Sequence, residues 1–582
     1  MDSFAPNTAI RRWCAWLILA AIWAPHSLCA AEAIIAQALP APAVQDQLQQ
    51  ERERALRNQM GQSQDVRVPR TAVAVSADQF PENETPCFPI THIVLVGESA
   101  EQFQFALKAV TEGPDPALGR CLGAQGINVV LTRVQNAIVA KGYVTTRVLV
   151  TPQDIKSGEL ALTVIPGRIS AIRFTPDSST RVSEWNALPI SMGDLLNLRD
   201  IEQGLENFKR VPTADADIQI EPATSTDAKP GESDLVIRYR QDFPLRLTLS
   251  ADDGGLDATG KTQGGVTVSC DNCTALNDLF YFNVTRNIGQ GVSGEHGTRS
   301  YTVNYIIPFG YWLLSVNSNK YHYDQTVAGA TQSYLYSGDN QTSDIKLSRL
   351  VYRDAVRKIS ASLRAYLNTY NNFIDDTKVE VQSRRMAGWQ GILSHREFIG
   401  ASTLDGNLAW RRGTGAFNAM PAPEEAFNEG TARPKILTTD ANLNIPFAIS
   451  GQQVRYNATW RAQWNYTPLI SQDRFSIGGR YTVRGFDGEN VLMADRGWLI
   501  RNDLALPLGD SGQELYWGVD YGHVGGSHSE KMLGNHLSGT VLGLRGAYKR
   551  VSYDAFVGTP LYKPNGFTTS NTTAGFNVSW SI

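Results

Sequence analysis

The sequence predicts a transmembrane β-barrel of sixteen antiparallel strands, occupying about 340 residues, set behind two small mixed α/β units and a polar helix. Three observations carry this expectation. After Phe243 the hydrophobic period becomes two and stays so to the C terminus. The two faces of these segments differ in kind: one is apolar and aromatic, the other polar and in places charged. The chain also opens with an export signal.

In VRYNATWRAQW, Val454, Tyr456, Ala458, Trp460, Ala462 and Trp464 share one face, opposite Arg455, Asn457, Thr459, Arg461 and Gln463. In RSYTVNYIIP, Tyr301, Val303, Tyr305 and Ile307 oppose Ser300, Thr302 and Asn304. A soluble sandwich alternates too, but would not put two arginines on the inner face of one strand. Apolar outside and polar inside is the barrel pattern. Residues 242–582 divide into about sixteen strand-plus-turn units of about 21 residues. The final GFNVSWSI alternates through Phe576, Val578, Trp580 and Ile582, a strand fit to close the barrel at its seam.

Before the barrel, Arg11 and Arg12, the apolar run WCAWLILAAIWA and the exit Cys29-Ala30-Ala31 form the three parts of a secretory signal peptide over residues 1–31. Its apolar core is shorter than the roughly 20 residues of a spanning helix. In region 32–60, PAPAVQDQLQQERERALRNQ reads as a helix with almost no apolar face, suited to water or a wet lining. A linker follows over 61–86. The first mixed unit, 87–167, has a strand in THIVLVG and a helix with Ile127, Leu131, Val134 and Ile138 at helical spacing, then a strand pair. The second, 168–241, repeats that order, with Asn197 as helix cap and Ile201, Leu205 and Phe208 as the buried stripe.

Net charge of −4 and a pI near 6.1 give no sign of a nucleic-acid partner. GLDATGKT (Gly255–Thr262) satisfies the phosphate-loop pattern, but a strand follows it where a helix would have to supply free amides, so no nucleotide is expected. GQGVSG (Gly289–Gly294) fits a dinucleotide fingerprint and GDSGQ (Gly509–Gln513) a serine nucleophile, yet both join strands and neither has partners. The histidines are scattered without metal-ligand spacing. The reading is therefore no enzyme, no cofactor and no metal. Once the signal is removed, Cys87, Cys121, Cys270 and Cys273 remain, an even number suited to an oxidising compartment.

ETPCFPITHIVLVG (Glu84–Gly97), KGYVTTRVLVTPQDIKSGELALTVIPGR (Lys141–Arg168), LNLRDIEQGLENFKRVP (Leu196–Pro212), PGESDLVI (Pro230–Ile237) and FSIGGRYTVRGFDGENVLMADRGWLIRNDL (Phe475–Leu504) resemble two-partner-secretion transporters, the TpsB proteins, and nearest the haemolysin and haemagglutinin secretion/activation proteins. The resemblance spans nearly the whole mature chain. It implies that 32–60 is a pore plug, that 87–167 and 168–241 are periplasmic POTRA domains, and that an extracellular loop over about 471–497 folds into the pore. The loop tip would be Val483, Arg484, Gly485 and Phe486. An arginine in a wet lumen needs a carboxylate. Asp520 shares its face with the small Gly518 and Gly522 and is the expected partner, with Asp503 as the alternative.

The resemblance also implies a Cys87–Cys121 disulfide. Cys270-Asp-Asn-Cys273 departs from the family; a small disulfide in a periplasmic turn is the expected state, with a redox or metal role as the alternative. Ile582 departs too, where such barrels commonly end in an aromatic residue. The implied function is an outer-membrane channel of a Gram-negative cell that exports an unfolded exoprotein (a haemolysin, an adhesin or a contact-dependent toxin). Expected partners are that exoprotein with its N-terminal secretion domain, outer-membrane lipid and lipopolysaccharide, and the chaperones and barrel-assembly machinery of biogenesis. The alternative is an insertase that assembles other barrels.

Overall fold

The structure, a computed structural model, describes residues 41–61, 64–68, 79–289, 295–328, 331–527 and 529–582. The expected export signal and most of GQGVSG lie outside these residues. Helix α1 (Ala41–Met60) is followed by a unit of β1 (His92–Val96), α2 (Ala124–Ala140), β2 (Arg147–Leu149) and β3 (Glu159–Ile165). Its sheet has the order β1-β3-β2, with β1 parallel to β3. The next unit repeats this topology: β4 (Arg168–Phe174), α3 (Leu198–Phe208), β5 (Ala214–Pro222) and β6 (Glu232–Gln241) form a sheet β4-β6-β5 with β4 parallel to β6. The bond between Cys87 and Cys121 staples the first unit across 34 residues.

The helical stripe of the first unit is turned from the expected one. Val129, Val130, Val134 and Ile138 are buried, whereas Ile127 and Leu131 are only partly so. The cause is a further helical stretch, Ala100–Leu107 continued by Lys108–Thr111, whose Phe103, Ala106 and Val110 pack beside α2. In the second unit Asn197 Oδ1 accepts from Arg199 N at 2.9 Å, capping α3, and Ile201, Leu205 and Phe208 face the sheet.

Sixteen long strands close the barrel: β7 (Leu245–Asp252), β8 (Gln263–Asp271), β9 (Leu279–Asn287), β10 (Gly297–Phe309), β11 (Trp312–Ala328), β12 (Ser333–Arg353), β13 (Arg357–Ile374), β14 (Arg384–Ile399), β15 (Ser402–Thr414), β16 (Lys435–Ile449), β17 (Gln452–Asn465), β18 (Arg496–Pro507), β19 (Gln513–Gly525), β20 (His536–Tyr548), β21 (Val551–Tyr562) and β22 (Thr573–Ser581). A two-residue strand, Thr377–Lys378, pairs beside β13. Each neighbour is antiparallel, and β22 pairs with β7 from Asn577↔Asp252 to Ser581↔Thr248. Ile582 extends that seam by exchanging backbone hydrogen bonds with Leu247, so an aliphatic end still closes the barrel.

Alternation sorts the faces. Ser300, Thr302 and Asn304 are buried toward the lumen, while Tyr301 and Val303 are exposed on the outside. The phosphate-loop look-alike is the β7–β8 connection, where Lys261 pairs with Asp257 at 3.4 Å. Cys270 and Cys273 are bonded in the β8–β9 turn.

Candidate functional site, a loop pinned inside a plugged barrel

The sixth extracellular connection, 466–495, joins β17 to β18 and turns inward. A short antiparallel ladder, Phe475–Ile477 with Leu492–Ala494, forms its neck. Phe475, Ile477, Val483, Phe486 and Leu492 bury themselves against Leu499, Val524, Leu537 and Phe567, giving the loop a dry core of its own inside the lumen. Phe486 meets Phe567 edge-on at 5.9 Å. Below the neck, Gln463 Nε2 donates to the carbonyls of Asp473 (2.8 Å) and Asp495 (3.2 Å), fixing where the loop leaves the wall.

Arg484 at the tip is 4% exposed. Its Nε and Nη2 donate to the two carboxylate oxygens of Asp520 at 2.7 and 2.8 Å, and its backbone N–H donates to the same carboxylate at 2.9 Å. Nη2 also donates to Asp503 Oδ1 at 2.5 Å. The sequence left Asp520 and Asp503 as alternatives; the structure brings both to the same guanidinium. Arg545 donates to the other oxygen of Asp503 at 3.2 Å and reaches Glu514, which also holds Arg455. The Tyr516 ring lies under this chain of charges, 4.5 Å from the Arg545 guanidinium and 6.0 Å from that of Arg484. Bidentate, charge-assisted pairing away from bulk water makes the tip a fixed feature.

The wall is shaped to admit the tip. A Cβ on Gly518 would sit 2.7 Å from Arg484 Nη2, and one on Gly522 2.7 Å from a Val483 methyl. Two further glycines complete the recess. A Cβ on Gly539 (β20) would fall 2.0 Å from the Arg484 carbonyl oxygen, and one on Gly558 (β21) 3.0 Å from Gly485 Cα. Gly485 itself has φ +94 and lies against Thr559. Sequence reasoning found the first two glycines beside Asp520 and missed the other two. Their alignment depends on the register between strands, which only the cross-strand pairing reveals.

The polar helix α1 fills the lumen beside this loop. Gln47 Nε2 donates to the Arg474 carbonyl at 2.7 Å and Gln50 to that of Gln472 at 3.2 Å, so helix and loop touch directly. Arg461 Nη1 donates to Glu51 at 3.0 Å, and Nη2 makes the second bond at 2.5 Å. Arg57 pairs with Glu53 at 3.0 Å and with Asp344 at 3.2 Å, and Arg52 pairs with Asp252. A cavity of about 180 Å³ remains between helix, loop and wall. The helix is thus held in large part by polar contacts that water could replace, with Leu56 and Met60 packed against a buried apolar cluster.

A family model described as haemolysin secretion/activation protein ShlB/FhaC/HecB matches residues 231–546. The chain belongs to the haemolysin secretion/activation protein family. Two POTRA models match in front of it, one of ShlB type over residues 88–167 and one over residues 168–222. Among curated proteins the chain is 35% identical to the outer membrane transporter CdiB-2 of Burkholderia pseudomallei strain 1026b, over 94% of this chain and 97% of that one. It is 23% identical to the hemolysin transporter protein ShlB of Serratia marcescens, over 79% and 80% of the two chains. The solved structure of CdiB from Acinetobacter baumannii superposes with a TM-score of 0.83 at 30% identity, covering 94% of this chain and 99% of that one. As a member of this secretion/activation family, the chain is an outer-membrane transporter of the two-partner-secretion type, and the insertase alternative gives way.

Proposed function

We propose that the chain exports one partner exoprotein (a haemolysin, an adhesin or a contact-dependent toxin) in unfolded form, with Arg484 holding the working geometry of the pore. The observation that carries this reading is the double carboxylate grip on a buried arginine at the tip of an inward loop that also touches the plug helix. POTRA domains capture the exoprotein by strand addition at sheet edges such as β5. Helix α1 then leaves, and the chain threads the space it vacates. Folding outside the cell supplies the drive. The chain performs no catalysis and uses no nucleotide, metal or cofactor. Outer-membrane lipid and lipopolysaccharide surround it, and periplasmic chaperones and the barrel-assembly machinery bring it there.

The test is secretion of a co-expressed partner by cells carrying Arg484→Ala, with barrel level and heat-modifiability measured in parallel. An intact barrel with export lowered at least about tenfold is expected, since breaking a buried pair from one side costs about 3–5 kcal/mol. Undiminished export would remove Arg484 from the mechanism. Export that persists for a substrate locked against folding would remove the folding drive.

A further inference from the structure

We propose that the outer-leaflet face of β15–β19 carries a binding site for one phosphorylated glycolipid of the lipid A class. The inference rests on the placement of the barrel in an outer membrane, and is independent of what the pore exports.

The face is set by strand direction. β17 ends and β18 begins at the extracellular loop 466–495, so the ends that meet there lie toward the outer leaflet. On that outside face a pocket of about 430 Å³ opens between β17, β18 and β19. Its walls include Trp460, Trp464 and Trp498, with Arg496 and His523 at the extracellular side. Trp460 and Trp464 meet edge-on at 6.4 Å, and Trp498 packs on Tyr521 at 5.3 Å, so the walls are fixed rings. Single tryptophans are ordinary at a membrane interface, where their amphipathic rings sit at headgroup depth. Three converging on a recess form a built cavity whose apolar walls suit acyl chains.

Charge supplies the second observation. On the same outer face Arg412 of β15 lies directly opposite Lys435 of β16, and both are exposed. Like charges directly opposite in a sheet destabilise it. Among the described residues, Arg412, Lys435 and Arg496 form no ion pair with any carboxylate, in a protein whose other arginines are mostly paired. Arg496 lines the aromatic recess, and Arg412 and Lys435 stand on the two strands that precede β17 on the same face; together the three cations ask for an anion joined to apolar chains. Lipid A has that chemistry: phosphates at the headgroup and several acyl chains beneath. A glycerophospholipid would offer one phosphate to three cations.

A contrasting patch sharpens the test. Arg286 opposes Arg299 across β9 and β10, also exposed, and neither residue lines the tryptophan pocket. The full chain, purified in detergent and stripped of lipid, is incubated with bis-phosphorylated lipid A, with dephosphorylated lipid A, or with phosphatidylglycerol, and retention is read by native mass spectrometry. One bound bis-phosphorylated lipid A is expected. Retention should fall about tenfold in Arg412→Gln/Lys435→Gln/Arg496→Gln, on the order of one lost charge-assisted contact. Arg286→Gln/Arg299→Gln should retain it normally. Trp464→Ala, with all charges kept, should also weaken retention. Heat-modifiability checks folding; should the triple variant not fold, Arg496→Gln alone is used. Equal loss in the Arg286/Arg299 variant would reduce the effect to bulk charge and overturn the site. Equal retention of dephosphorylated lipid A, or preference for phosphatidylglycerol, would overturn the ligand.

Discussion

At the residue scale the loop tip depends on what is missing from the wall as much as on Arg484. Gly539 and Gly558 carry no local pattern that distinguishes them from other strand glycines; they matter because β20 and β21 bring them under residues 484 and 485. Gly539→Ala should therefore dislodge the tip and lower export severalfold while the barrel stays heat-modifiable. Gly406→Ala, where an added Cβ meets nothing within 4 Å, should change neither. Comparing secretion by the two variants checks this. Between the aspartates, Asp520→Asn should cost more export than Asp503→Asn, because Asp520 accepts three bonds from Arg484 and Asp503 one.

A second single-residue effect lies just before the first POTRA domain, inside the ETPC stretch that carried part of the resemblance. Glu84 accepts from the backbone N–H of Gly123, Gln125 and Gly126 at 2.7, 2.8 and 2.9 Å, capping α2 from outside its own segment. Slight burial raises its pKa, but the three amide bonds outweigh that and hold it below the ordinary carboxylate value. With the folded pKa lowered, the stabilisation is present above the unfolded value and is lost as pH falls through the folded one. The protection of the amides at the start of α2, the slowing of their exchange relative to the unfolded chain at the same pH, should fall on acidification below the usual Glu range. In Glu84→Gln that protection should already be lower at neutral pH and lose most of its pH dependence.

At the element scale, the plug helix was legible because its composition lacks an apolar face, whereas its position was not. A disordered tail of the same composition would read alike; the difference lies in Arg461, Asp344 and Asp252 on strands far away in sequence, which match its charges. Interfaces made of hydrogen bonds and ion pairs contribute little net stability, about 0.5–1.5 kcal/mol per bond, and more where a charge takes part. That suits an element proposed to leave and return. Glu51→Ala leaves Arg461 without its carboxylate in the lumen, so planar-bilayer recordings should show more frequent opening, roughly tenfold for a loss near 1.4 kcal/mol. Unchanged opening would mean the pair does not hold the plug.

At the scale of the molecule, α3 shows why sequence reading stopped at the POTRA domain. Its apolar stripe was readable, but its polar face, Glu202, Gln203, Glu206 and Asn207, is buried as well, because the barrel covers it. Arg353, at the periplasmic end of β12, pairs with Glu202 at 3.1 Å and Glu206 at 3.0 Å. Between them runs the linker: Val66 N donates to Glu206 at 2.9 Å, Val68 N to Glu202 at 3.0 Å, and Arg353 Nη2 to the Val66 carbonyl at 2.6 Å. Asp65 adds pairs to Lys358 at 2.6 Å and to Arg396. Burial raises the Asp65 pKa, but these cations outweigh it and keep the carboxyl below its usual range, so the clamp holds at neutral pH and loosens as acid protonates it. The clamp limits the plug. From Met60 to Val66 the chain reaches about 20 Å at most, less than the roughly 30 Å length of the 20-residue helix. With the clamp closed, a helix that left the lumen as proposed would swing about its periplasmic end and stay within reach for return. Arg353→Met should free the tether, exposing residues 64–68 to faster amide exchange and to proteolysis, and should lengthen open intervals because the released helix searches a larger volume before it returns. Open intervals of unchanged length, with the linker demonstrably released, would show that another contact limits the swing.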